Sequence, residues 1–158
     1  MIYIFNNILG SGKNSHTEEI FKGIFAYITC NKDIGTYIKI LKNRKINFAN
    51  TSDRVLMDSE DFEKFFDVYS ENRITTTQLL TSDIMELLVD FYKKYYLDYE
   101  IVFRNNIIYM KFSTGAMFEP RIFGNSMDKE LLFVYYSILK LILEISNKVN
   151  DVLHEIEV

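Results

Sequence analysis

The 158 residues suit one domain, and 13 Phe and 11 Tyr beside one Pro and six Gly exclude a disordered or low-complexity chain. A single cysteine, Cys30, excludes a disulfide scaffold and points to a reducing compartment or at least to no reliance on oxidation. The formal charge of −4, with basic residues concentrated only at Lys39, Lys42, Arg44 and Lys45, argues against nucleic acid as a partner.

Met1–Leu9 reads as a strand rich in Ile, Tyr and Phe, without the basic start of a secretory signal. A glycine-bearing turn, Gly10–Ser15, follows. Phe21–Cys30 is a second strand, with Phe21, Gly23, Phe25 and Tyr27 on one face and Ile24, Ala26, Ile28 and Cys30 on the other. Because both faces are apolar, this strand is expected inside a sheet and covered from both sides. Asn31–Gly35 is a turn, and Thr36–Leu41 a third strand. Lys42–Asp53 reads as an exposed loop and Arg54–Met57 as a short strand. Asp58 and Ser59 open a brief helix, with Glu60 and Asp61 suiting its first turn and Phe62, Phe65 and Phe66 its apolar side. Val68–Ser70 is extended. Ile74–Leu80 is undecided: its three Thr favour a strand, but its apolar positions fix no period.

Thr81 or Ser82 caps a helix running to about Tyr96, with Ile84, Leu87, Leu88, Phe91 and Tyr95 as its buried stripe. Tyr99–Phe112 is a hairpin turning at Asn105-Asn106, since Asn tolerates the positive φ of a tight turn. That turn sets the register. Phe103 faces Ile108, Ile101 faces Met110 and Tyr99 faces Phe112 on one side; Glu100 faces Lys111 and Val102 faces Tyr109 on the other. Ser113–Ser126 is a loop, and its Met117, Phe118, Ile122 and Phe123 place it across the core.

A final helix runs from Met127 or Asp128 to about His154. Leu131, Val134, Tyr135, Ile138, Ile142, Ile145, Val149 and Val152 form its main stripe. A second apolar row, Leu132, Phe133, Tyr136, Leu139 and Leu143, needs cover from another direction. Without a regular strand–helix alternation, the chain reads as α+β, a mainly antiparallel sheet packed by two principal helices. No segment is long and apolar enough for direct membrane insertion.

Few residues cluster as chemistry requires. Gly10-Ser11-Gly12-Lys13 follows a strand, but Asn7 and Asn14 stand where a phosphate-binding loop needs Gly and Ser or Thr. His16 and His154 lie at opposite ends of the chain, so no metal site is expected. Cys30 with His16 as base is weaker than Cys30 as a small buried strand residue. Tyr92-Lys93-Lys94-Tyr95-Tyr96 mixes aromatic and basic residues, as nucleic-acid surfaces do, yet lysines are expected at a helix C-terminus. Glu119 and Arg121 flank the only Pro, in a loop. With Tyr69, Lys13 and His16 they are the candidates for a dispersed ligand site. No catalytic residue and no cofactor is expected.

Four segments together resemble a bacterial family catalogued as domain of unknown function 3137: Phe21-Lys22-Gly23-Ile24-Phe25 with Asn31-Lys32; Asp61-Phe62-Glu63-Lys64-x-Phe66-x-Val68-Tyr69; Leu80-Thr81-Ser82-x-Ile84-Met85-Glu86-Leu87-Leu88; and Phe118-Glu119-Pro120. The resemblance spans about Phe21 to Asn150 and implies no activity, cofactor or site residue. It implies a cytoplasmic domain attached to a membrane, since relatives often carry membrane-spanning segments upstream; this sequence shows none, so it is expected either to depart from that pattern or to be the soluble part of such a protein. The expectation is a non-catalytic interaction or structural module, working as a homodimer or with a protein partner through the C-terminal helix. The alternative is a small-ligand-binding protein or enzyme whose site is assembled from the dispersed polar residues.

Overall fold

The structure, a computed structural model, describes residues 2–6, 21–43, 53–114 and 129–156. In chain order these form β1 (Ile2–Asn6), β2 (Lys22–Thr29), β3 (Ile38–Lys42), β4 (Arg54–Val55), α1 (Glu60–Phe65), β5 (Phe66–Ser70), α2 (Arg73–Leu79), α3 (Ser82–Tyr95), β6 (Tyr99–Arg104), β7 (Ile107–Phe112) and α4 (Lys129–Glu155). The strands make one sheet in the order β1-β2-β7-β6-β3-β5-β4, antiparallel at every pairing. The fold is α+β, with α3 and the long α4 as its principal helices.

The β6–β7 hairpin lies at the centre of the sheet in the register expected from its residues. Tyr99 pairs with Phe112, Glu100 with Lys111, Ile101 with Met110, Val102 with Tyr109 and Phe103 with Ile108. Asn105 takes a φ of 54°, and of the two turn residues only it needs the left-handed region. The turn is also an anchor: the amides of Cys30 and Ile34 donate to the carbonyls of Asn106 and Asn105 at 2.7 and 2.9 Å.

Alternation along the strands gives the sheet two unlike faces. Ile24, Ala26, Ile38, Ile40, Val68, Tyr99, Ile101, Phe103, Ile108, Met110 and Phe112 are buried in one contiguous core with the inner rows of α3 and α4. Phe91 of α3 meets Tyr99 and Phe112 with ring centroids at 5.7 and 6.1 Å, and Phe66 meets Tyr92 at 5.8 Å. The opposite face carries Phe25, Tyr27 and Tyr109, whose rings lean together at 6.2 and 6.5 Å. They are half-buried, so β2 lies inside the sheet as expected but is fully covered from one side only. Gly23 sits where β2 crosses β7 closely; a Cβ there would overlap the carbonyl of Phe112.

Ser59 caps α1, its Oγ accepting the Phe62 amide at 3.2 Å, and Phe62 is buried beneath it. Phe66, expected on the helix, instead begins β5. The undecided segment is helix α2. The Asn72 side chain accepts the Thr75 amide at 3.2 Å, and the Thr76 hydroxyl donates back to the Asn72 carbonyl at 2.7 Å. The cap and the back-bonded hydroxyls outweigh the strand propensity of Thr. α3 ends on Tyr96, a left-handed residue with φ 49°.

Candidate functional site

α4 presents two rows. Ile138, Leu141, Ile142, Ile145, Val149 and Leu153 are buried in the core. Leu132, Phe133, Tyr136, Leu139 and Leu143 keep 47, 54, 64, 41 and 61% of their surface exposed. These five are the second row read from the sequence. Four of them, Leu132, Tyr136, Leu139 and Leu143, follow the 4-3-4 spacing of a helix–helix seam.

Contacts with α3 and with the end of β2 hold this part of α4 in place. Tyr95 of α3 donates its hydroxyl to Ser137 Oγ at 2.6 Å, and Ser137 donates to the Phe133 carbonyl at 2.9 Å. Lys94 Nζ stands 5.4 Å from the Phe133 ring centroid. Lys148 of α4 reaches Asp83 at the start of α3, 3.2 Å away. The Asn31 amide donates to Asn150 Oδ1 at 3.0 Å, tying the end of β2 to α4. Alongside the row, Lys140 and Glu144 pair at 3.5 Å.

The half-buried face of the sheet holds a polar arrangement. A cleft of about 260 Å³ is lined there by Lys39, Lys42, Asp98, Glu100, Lys111 and Ser113. Lys42 donates to Asp98 at 2.6 Å and stands 5.4 Å from the Tyr92 ring centroid. Lys111 faces Glu100 at 3.7 Å. Among the described residues Lys39 has no ion partner. The hydrogen bond to Asp98, and after it the one to Tyr92, holds the Lys42 ammonium above its ordinary pKa. A lysine base or nucleophile needs the reverse, a pKa drawn toward neutrality. The cleft therefore offers positive charge to an anion, and its Lys42 is shifted away from what a base needs.

Tyr69 stands next to this cleft, since it pairs with Lys39 across β5 and β3. Glu119, Arg121, Lys13 and His16 lie outside the described residues, as do most of the loops read at 42–53 and 113–126. Cys30 is buried, and burial pushes its thiol pKa up, which lowers its thiolate content. Among the described residues no group of three or more His, Cys, Asp or Glu could hold a metal ion. No described helix is long and apolar enough to cross a membrane.

Two features escaped the residue-by-residue reading. The cleft joins β3, β6 and β7, and only the strand order brings Lys39 and Lys111 to one place. The second is an ionic knot at the sheet edge. Arg54 pairs with the buried Asp67 at 2.8 Å and with Glu63 at 2.9 Å, while Glu63 also accepts the Met57 amide at 2.9 Å. This knot fastens the short β4 to α1 and β5.

No curated protein and no solved structure matches the chain. A family model matches residues 19–151, which include both the cleft and nearly all of α4. The chain therefore belongs to the family described as protein of unknown function DUF3137.

Proposed function

We propose that this chain is a non-catalytic interaction module, working in the cytoplasm, whose binding surface is the outer row of α4 and whose occupant is an apolar helix face of a protein. The observation that carries the reading is the exposure of Leu132, Phe133, Tyr136, Leu139 and Leu143 on a helix that buries Ile138, Leu141, Ile142, Ile145, Val149 and Leu153 in the core and keeps Val134, Tyr135 and Val152 half-buried against it. Single exposed apolar residues are ordinary, but a contiguous row of two aromatics and three leucines marks a contact surface. The 4-3-4 spacing suits a helix better than a small molecule. A lipid surface is disfavoured, because the row is bordered by the paired Lys140 and Glu144 and the chain carries a net −4. The single buried Cys30 supports a reducing compartment.

The test uses the protein at native levels in its own host, sized by gel filtration of a gentle lysate. The expected result is elution well above 18.7 kDa, lost in Leu139→Lys while the purified variant keeps its circular dichroism spectrum. Elution at monomer mass for the unchanged protein would remove the proposal.

A further inference from the structure

We infer that the occupant of the α4 outer row is a second copy of this chain, paired antiparallel about a two-fold axis near Ser137 and Ile138. This rests on the interaction reading above and names its partner. The argument is symmetry. The spacing 4-3-4 reads the same in both directions, so the row meets itself in register when one copy is reversed. Leu132 then lies against Leu143 of the second copy, and Tyr136 against its Leu139.

Charge and area point the same way. In this register Lys129 of one copy falls within about two residues, or about 3 Å along the axis, of Glu144 of the other. Opposite charges thus meet at both ends of the row, as flanking positions do in paired helices, while the two Lys140 side chains near the axis are each balanced by Glu144 of their own copy. The five side chains expose on the order of 500 Å² per copy, and with their polar borders they approach the roughly 800 Å² per partner of a stable interface. The seam spans residues 132–143, about 16 Å of helix, so the dimer is small and reversible. Its dissociation constant is expected on the order of 10 µM.

The experiment is sedimentation equilibrium of the purified full chain from 1 to 500 µM, roughly bracketing that constant, followed by spin-label distances in Lys140→Cys and Asp151→Cys. Buried Cys30 stays unlabelled. The expected result is a mass rising to twice 18.7 kDa, with Leu139→Lys weakening association more than about 10-fold while the fold is retained. Lys140 sits near the axis, so its two labels should lie within about 20 Å of each other; those at Asp151 should lie about 40 Å apart.

A monomer at every concentration would overturn the inference, as would a dimer indifferent to Leu139→Lys. Short distances at both sites would mean parallel pairing and would also overturn it. So would row-dependent binding to phosphatidylglycerol vesicles, or cross-links from the row to residues 117–123 of the same chain. If the purified protein is monomeric yet its assembly in the host still depends on Leu139, the interaction reading stands and the second copy is excluded. Monomer mass in both settings removes both.

Discussion

Among the described residues, Tyr99 and Tyr135 are tyrosines whose protonation the fold controls strongly. Tyr99 is buried and donates to the Leu88 carbonyl at 2.6 Å; burial lifts its pKa well above the ordinary 10.0. Burial likewise pushes Tyr135 up to about 12, against a smaller opposing pull from the Thr114 hydroxyl. For both groups the folded pKa exceeds the unfolded one, so the unfolded chain loses its protons first as pH rises. Their contribution is complete below pH 10 and is lost as pH climbs above it, for Tyr135 as pH approaches about 12. Urea denaturation at stepped pH should show a midpoint flat at neutral pH and falling across that window. Tyr99→Phe should cost about 1 kcal/mol at pH 7, for the lost hydrogen bond, and should also reduce the alkaline fall. A midpoint that declines equally in the variant would refute the assignment.

Among the elements, the junction of β2 and β7 is the least forgiving. A side chain at Gly23 has no room beside the Phe112 carbonyl, so Gly23→Ala must push two paired strands apart. The expected loss is about 2 kcal/mol or more by chemical denaturation. Gly35 is the contrast: nothing lies within 4 Å of a Cβ there, and only its φ of +75° opposes substitution. Gly35→Ala should cost about 1 kcal/mol. An equal loss at both sites would mean that close packing at Gly23 is not the constraint. Local readings of the sequence succeed where one periodicity dominates. The hairpin register followed from the segregation of Phe103, Ile101 and Tyr99 from Glu100 and Val102, and the α4 outer row from the spacing of its apolar residues. They fail where short polar residues decide. Thr76 and Thr77 favour strands by shape, yet their hydroxyls donate to carbonyls one turn back and complete α2.

At the scale of the whole molecule, the strand order could not be read from the sequence. β2 and β3 both flank a hairpin that lies more than 50 residues further along the chain, and no local pattern records that pairing. The same distance hid the cleft, whose Lys39 and Lys111 come from strands separated by β6. The α4 row, by contrast, is confined to one helix and needed no topology to be seen. Non-local pairing also shapes folding. The hairpin closes a two-residue loop, whereas β2 and β3 must each close a long one. Pulse-labelled hydrogen exchange during refolding should show the amides that join β6 to β7 protected at least about 10-fold faster than those that join β2 to β7 or β3 to β6. Simultaneous protection throughout the sheet would contradict this order.

The central position of a late hairpin has a consequence for biosynthesis. Residues 1–98 leave the ribosome carrying β1 with β2, and β3 with β5 and β4, as two part-sheets that lack a middle. At about 5–20 residues per second, several seconds of translation pass with the inner edges of β2 and β3 open to any other extended chain. The nascent polypeptide is then at its most prone to aggregate, and the emergence of residues 99–112 ends that interval by joining the halves.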